Sequence, residues 1–192
     1  MHILDQIKQS NKTIFSISDI AKIGDNTIKQ ESLVKKIYRL AVKEEIITLK
    51  RGLYYLKNNK PSYFEIANAL YNPSYISLKS ALNYHGVLIQ LPQIVESVTL
   101  KKTYNTIKYQ KEYKYYHIDS NYYQGYELIN NVLIATPEKA LIDQIYYAGF
   151  GKIKFNFDEL ILDNIVKAKL KYFAKKVKNK SFQNLFQSLN IC

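Results

Sequence analysis

The residues of this 192-residue chain with the clearest chemistry are hydrogen-bond donors on one predicted helix and on the turn after it. The set comprises Lys29, Gln30, Ser32, Lys35, Lys36, Arg39, Lys50 and Arg51. Lysine and arginine side chains neutralise phosphates, and an amide such as that of Gln30 can read a base edge. The pattern therefore predicts that these eight residues bind double-stranded DNA, with the lysines setting affinity and position.

The helix that must position these donors is predicted to begin at Thr27 and to end before Ile46. Thr27 and Gln30 have the spacing of a capping box, which satisfies free N–H groups at a helix start. Apolar residues at three- and four-residue intervals predict that one face is buried: Leu33, Val34, Ile37, Leu40 and Ala41. The donors then lie on the opposite, solvent-facing side.

A hairpin is predicted directly after this helix. Two β-rich runs, 46–50 and 53–56, flank the dipeptide Arg51-Gly52, which suits a tight turn. A basic helix followed by a hairpin with a basic tip is typical of a winged helix-turn-helix. In that arrangement the helix meets base edges and the hairpin reaches phosphates or the adjacent minor groove.

Two shorter helices are predicted upstream, and they complete a helix-turn-helix order. The first covers residues 3–9. The second begins with Ser16 as its cap, Asp19 closing the capping box, and Phe15 placed to pack against the helix. The turn at 24–26 contains glycine and separates it from the basic helix. Any small three-helix unit could share this order, and the hairpin favours the winged form.

A polar break after residue 57 predicts a boundary between a DNA-binding domain, 1–60, and a C-terminal effector domain, 61–192. The second domain is predicted to contain helices at 63–70, 77–86, 136–149 and within 158–189, and strands at 97–100, 106–109, 113–118, 126–129 and 132–135. The expected fold class is α+β: a winged helix-turn-helix, then a mixed α/β domain with a small, mainly antiparallel sheet and C-terminal helices.

The net charge of +12 indicates an anionic partner such as nucleic acid or an acidic protein. Residues 1–60 and 61–192 each carry +6, so the charge is denser in the shorter part. A second possible basic surface, with no acid after residue 163, comprises Lys167, Lys169, Lys171, Lys175, Lys176, Lys178 and Lys180. It could extend the DNA footprint, meet an acidic or RNA-bound partner, or be a solvated surface.

Enzymatic chemistry is not expected. The histidines, His2, His85 and His117, are far apart and have no paired cysteine or carboxylate, so neither catalytic nor metal-binding residues are predicted. No phosphate-binding glycine loop is present, and no cofactor is expected. The single cysteine, Cys192, fits a reducing compartment, and no signal or membrane-spanning run is visible. We expect a soluble cytoplasmic protein.

Two segments resemble the AbiEi family, the antitoxins of type IV toxin–antitoxin systems associated with abortive phage infection. They are YISLKSALNYHG at 75–86 and ATPEKALID at 135–143, with Lys50 to Tyr54 as a weaker match. The similarity covers roughly residues 15–150 in order. The Lys-rich segment after residue 150 does not share it.

The resemblance implies a winged-helix repressor that binds promoter DNA of its own operon. We expect the chain to bind DNA as a monomer or weak dimer. It also implies a C-terminal domain that counteracts a nucleotidyltransferase-like toxin without forming a stable complex with it. Two alternatives stay open: a standalone transcription regulator with no toxin, and an interaction module that binds nucleic acid or protein through the C-terminal lysines.

Overall fold

The computed structural model describes residues 3–9, 12–23 and 30–191, except for the side chains of Gln6, Ile23 and Gln30. The chain is mixed α/β, with helices and two sheets. It divides into two compact units, Met1–Leu70 and Tyr71–Cys192.

The N-terminal unit builds a three-stranded antiparallel sheet, with the strands in the order β1-β3-β2, and helices pack with it. Its elements are α1 Ile3–Gln9, β1 Ile14–Ser16, α2 Ile17–Ile23, α3 Gln30–Val42, β2 Ile46–Lys50, β3 Leu53–Leu56 and α4 Tyr63–Leu70. The predicted hairpin is confirmed as β2 and β3. The predicted helix start at Thr27 lies outside the described residues.

The core of this unit joins its first three helices to the sheet. Its buried members are Ile3, Ile7, Phe15, Ile20, Leu33, Ile37, Leu40 and Ile46. Apolar side chains at helical spacing in α3 supply three of them, as the sequence predicts. Val34 is an exception: its predicted burial is wrong and it is 45% exposed, because its position on the helix turns it away from the Leu33–Ile37–Leu40 line.

The predicted capping box at the start of α2 is confirmed. The Ser16 backbone N–H donates to Asp19 Oδ2 at 2.8 Å, and the Asp19 N–H donates to Ser16 Oγ at 3.1 Å. Phe15, which is predicted to pack against this helix, lies with Ile20 of α2 in the buried core, and it also belongs to strand β1, where it pairs with Tyr54 of β3. This three-residue strand is too short to show an alternating pattern in the sequence.

The C-terminal unit is built on a six-stranded sheet in the order β6-β7-β5-β4-β9-β8. Its elements are β4 Ser74–Ile76, α5 Leu78–Tyr84, β5 Ile94–Thr99, β6 Tyr104–Lys108, β7 Lys111–His117, β8 Tyr126–Ile129, β9 Val132–Ala135, α6 Pro137–Gly149, α7 Lys167–Lys176 and α8 Lys180–Ser188. The β5–β7 and β4–β9 pairs are parallel. The sheet is therefore mixed, and larger than the small, mainly antiparallel sheet that the sequence predicts.

A turn and a helix cap in this unit match the predictions made from the sequence. Asn130 and Asn131 have φ of +47° and +65°, the paired positive values that a tight hairpin turn requires between β8 and β9. Thr136 caps α6 by accepting a hydrogen bond from the Lys139 N–H, and Pro137 occupies the first helical position.

The start of α5 differs from the prediction. Ser77 is predicted to cap the helix, but its side chain makes no capping hydrogen bond, and Ser74–Ile76 form a strand before it. Leu78 has a φ of +53°, so the chain turns here through the left-handed region. Glu96 of β5 performs the capping role instead, since its Oε2 accepts a hydrogen bond from the Lys79 N–H at 3.2 Å.

The division between the units falls after Leu70, ten residues beyond the boundary expected at residue 60. Helix α4 is thus part of the N-terminal unit, where it contacts β1. The side chain of Lys50 ties it to the hairpin, since Lys50 Nζ donates to the carbonyl oxygens of Ala69 and Leu70 at 2.7 and 2.8 Å.

Candidate nucleic-acid interface

The face of α3 opposite the core carries cations that point to solvent. Ser32, Lys35, Lys36 and Arg39 are all exposed, because Leu33, Ile37 and Leu40 hold the other face against the core. Within the described part of the chain, no ion pair or side-chain hydrogen bond engages Lys35, Lys36 or Arg39. The structure therefore brings four of the predicted contact residues together on one solvent-facing surface.

The other four predicted DNA-contact residues do not all lie on this surface. Arg51 is exposed at the tip of the β2–β3 hairpin, beside Gly52, whose φ of +81° makes the turn. Lys50 is directed away from the tip, since its ammonium binds the last carbonyl groups of α4. A cation at a helix C-terminus stabilises the unpaired carbonyls and the helix dipole. Lys29 and the side chain of Gln30 lie outside the described residues.

An apolar stripe borders the cationic face of α3, and it was not predicted from the sequence. Val34, Tyr38 and Val42 are spaced by four residues and are 45%, 69% and 66% exposed. The signal is present in the sequence, because residues four apart share one side of a helix. The prediction includes only Val34, and it assigns Val34 to the core.

The second basic surface lies on α7, on α8 and between them. Six of its seven lysines are exposed: Lys167, Lys169, Lys171, Lys175, Lys178 and Lys180. Lys176 is partly buried, with its ammonium 2.9 Å from Gln124 Oε1 and 4.2 Å from the centre of the Tyr172 ring. The lysines surround Leu170 and Ala174, which are buried, so α7 is amphipathic with a cationic outer side.

A buried polar network connects the two segments that carry the family resemblance. Lys139 and Asp143 form an ion pair one helical turn apart, and both are almost fully buried. Asp143 Oδ2 also accepts hydrogen bonds from the hydroxyls of Tyr75 at 3.0 Å and Ser77 at 2.8 Å. Burial, together with the charge of Asp143, raises the pKa of Tyr75 above its usual 10.0, so Tyr75 remains a donor.

This network was not predicted from the sequence, although a lysine and an aspartate four residues apart in an apolar helix are a visible signal. His85 joins the same two segments, with Nε2 lying 2.8 Å from the Ala135 carbonyl oxygen. The residues on which the resemblance rests are therefore largely buried. They position strands and helices, and Tyr84 in the first segment is an exception with 48% of its surface exposed.

Glu96 is another buried carboxylate with a defined environment. Its oxygens accept hydrogen bonds from the Tyr116 hydroxyl and the Lys79 N–H, each at 3.2 Å. Burial raises the pKa of Glu96, and the nearby charges of Lys79 and Lys114 only partly oppose this effect.

In the described part of the chain, no group of three or more histidine, cysteine or carboxylate side chains could hold a metal ion.

Comparison with known proteins gives no family assignment: no family model matches the chain, and no curated protein matches its sequence. Across the residues that the structure describes, none of the helices has both the length and the apolar character needed to cross a membrane.

Proposed function

We propose that the N-terminal unit is a winged helix-turn-helix that binds double-stranded DNA, and that the chain is a non-enzymatic transcriptional regulator. The observation that carries the proposal is the cationic face of α3, which has no ion-pair partner among the described residues, together with Arg51 at the hairpin tip. The element order α1-β1-α2-α3-β2-β3 and the three-stranded sheet also support it, because α3 follows α2 and precedes the hairpin as a recognition helix does.

In this proposal α3 enters the major groove. Lys35, Lys36 and Arg39 bind phosphates or guanine edges, and Ser32 near the helix start meets a base or a phosphate. The exposed stripe that includes Tyr38 lies beside them and offers apolar contacts to thymine methyl groups. Arg51 reaches a phosphate or the adjacent minor groove. Lys50 has no part in this contact, because it caps α4.

The narrower proposal is that this regulator is an antitoxin that represses its own operon. Its support is the resemblance of residues 75–86 and 135–143 to the AbiEi family. In that case the C-terminal unit counteracts a nucleotidyltransferase-like toxin without a stable complex. A standalone regulator is the alternative, and the reading frame next to the gene distinguishes the two: rescue of growth when that neighbour is toxic and this chain is co-expressed supports the antitoxin.

DNA binding is tested with the variant Lys35→Ala/Arg39→Ala/Arg51→Ala. We expect it to lose at least about 100-fold in affinity for duplex DNA from upstream of its own gene, since each contact is worth about 1–3 kcal/mol. We also expect a shallower dependence of affinity on salt, because fewer counterions are released. Fluorescence anisotropy over a salt series measures both quantities.

The matched control is Lys8→Ala/Lys57→Ala/Lys60→Ala, which removes the same charge from exposed positions elsewhere in the unit. It should keep most of the affinity, and circular dichroism should show both variants folded. Equal retardation of promoter DNA by the first variant and the wild-type protein would rule out α3 and the hairpin tip as the binding surface.

A further inference from the structure

The C-terminal unit contains a cavity of about 490 Å³ that the DNA-binding proposal does not use. It lies between the start of β8 and α7. Three aromatic rings line it, those of Tyr126, Tyr172 and Phe173, together with Gly125, Glu127 and Lys169. A cavity of this size accommodates a small planar ligand, and aromatic walls with few polar groups are typical of ligand sites.

Packing contacts fix two of the cavity's aromatic walls. Tyr126 stacks on the buried Tyr75, with ring centres 4.7 Å apart and ring planes 15° apart. Phe173 lies directly against the backbone of Gly125, where a Cβ atom would be 2.6 Å from the ring. Because these rings are packed on the fold, they form a preformed surface for stacking.

The third ring is the accessible one. Tyr172 is 56% exposed and makes an edge contact with Phe173 at 5.4 Å between ring centres. The Lys176 ammonium lies 4.2 Å from the centre of the Tyr172 ring and is itself hydrogen-bonded to Gln124. These contacts hold the Tyr172 ring in place. An exposed tyrosine next to packed rings is suited to stack a base that enters from solvent.

The charge around the cavity identifies the chemistry of its occupant. Lys169 lines the cavity, and Lys171 and Lys175 are exposed on the same helix as Tyr172. Residues 164–192 contain no acidic side chain. Aromatic rings beside these lysines match a polyanion whose bases can stack, since every base has a π-face and every linkage has a phosphate.

We propose that this cavity binds an unpaired base of single-stranded nucleic acid, with the base between the aromatic rings and neighbouring phosphates on Lys169 and Lys175. The bases of a duplex are stacked and paired, and they cannot enter a cavity without being extruded. The site is therefore distinct in ligand and in location from the α3 surface. Single-stranded RNA and DNA share this chemistry, and the test compares them.

Glu127 gives the site a base preference. Its carboxylate is exposed and lines the cavity, where it repels phosphate but can accept a hydrogen bond from an exocyclic amino group. Cytosine and adenine carry such a group, and uracil and thymine do not. We therefore expect tighter binding of oligo(C) or oligo(A) than of oligo(U) or oligo(T).

The experiment uses the full chain and fluorescein-labelled RNA and DNA oligonucleotides of about eight residues, a typical single-strand site size. Fluorescence anisotropy should show binding that weakens about tenfold in Tyr172→Ala, the loss expected for one stacked base. Tyr172→Phe retains the ring and should retain the affinity. Glu127→Gln should reduce the preference for cytosine over uracil. The tighter of the RNA and DNA series identifies which of the two backbones the site prefers.

The matched control is Tyr84→Ala, which removes another exposed tyrosine of the same unit that does not line the cavity. Equal affinity of Tyr172→Ala and the wild-type protein would overturn the proposal. Equal binding of single strands and of a blunt duplex of the same length by Lys35→Ala/Arg39→Ala/Arg51→Ala, which lacks the proposed duplex contacts, would also overturn it. Its failure is separable from that of the duplex-binding proposal. Lys35→Ala/Arg39→Ala/Arg51→Ala should keep single-strand binding, and Tyr172→Ala should keep promoter binding.

Discussion

The Lys139–Asp143 ion pair is a contact between two buried charges of the C-terminal unit. A buried charge is strongly destabilising unless its partners are in place. Asp143 has three such partners: Lys139 and the hydroxyls of Tyr75 and Ser77. Lys139 has its ion pair and a weaker contact with the Tyr75 ring, whose centre is 5.8 Å away. Removal of Asp143 would therefore leave a buried ammonium with little compensation.

We expect Asp143→Ala to lower the free energy of unfolding by about 3–5 kcal/mol, and Lys139→Met by less, since Asp143 keeps two hydroxyl donors. The double variant Lys139→Met/Asp143→Leu should lose less than the sum of the single losses. Urea denaturation measures all three. Glu44→Gln, which breaks the exposed Lys57–Glu44 pair, is the control and should leave the midpoint unchanged. Additive losses in the double variant would contradict this account.

The sequence predicted elements well where their signals are local. The Ser16–Asp19 capping box, the Asn130-Asn131 turn and the Thr136 cap each depend on residues within four positions of one another. Strands β1 and β4 were missed because three residues carry no alternating pattern, and only their partners in the sheet define them.

The candidate site could likewise be predicted only where its signals are local in the sequence. The outward face of α3 follows from helical periodicity, so Lys35 and Arg39 could be found from the sequence. The role of Lys50 could not, because it depends on the carbonyl groups of Ala69 and Leu70, some twenty residues later in the chain. The aromatic cavity joins Tyr126 with Tyr172, and only the tertiary fold brings these together.

At the scale of elements, Gly125 determines how closely α7 approaches the start of β8. Its φ is +76°, and the Phe173 ring occupies the space that a side chain would need. Gly151 offers a matched comparison with a φ of +67°. Among the described residues, no atom lies within 4 Å of the place that a Cβ atom would take at Gly151, so only backbone strain opposes substitution there.

Gly125→Ala should therefore be more destabilising than Gly151→Ala. Backbone strain costs about 1–2 kcal/mol in either variant, and the overlap with Phe173 adds about 1–3 kcal/mol in the first. Because Phe173 lines the cavity, Gly125→Ala should also weaken single-strand binding, whereas Gly151→Ala should not. Thermal denaturation and the anisotropy titration measure the two effects. Equal stability of the variants would show that α7 adjusts its position without cost.

At the scale of the whole molecule, the chain combines two basic units with different surfaces. The first presents cations on a convex helix and a hairpin tip, a shape suited to a groove of duplex DNA. The second presents cations around an aromatic cavity, a shape suited to an unpaired base. The net charge of +12 is therefore divided between two surfaces of different shape. Its even division between residues 1–60 and 61–192 gave no indication that the surfaces differ.

The structure places the boundary between the units after Leu70, whereas the sequence predicts it at residue 60. Fragments of the chain can test which is right. If α4 belongs to the N-terminal unit, a fragment of residues 1–70 should unfold cooperatively. A fragment of residues 1–60 should be less stable by at least about 2 kcal/mol, because it lacks the side chain of Ile66, which is 1% exposed, and leaves the Lys50 ammonium without its carbonyl acceptors.

A point variant separates this effect from simple shortening of the chain. Ile66→Ala within the fragment 1–70 removes a buried side chain from α4. It should lower the free energy of unfolding of the whole fragment by about 2–5 kcal/mol, which urea denaturation shows as a lower midpoint. The exposed residue Glu31→Gln on α3 serves as the control and should have no such effect. An unchanged midpoint for Ile66→Ala would mean that α4 does not contribute to the N-terminal core, and the boundary would then lie near residue 60, where the polar break in the sequence predicts it.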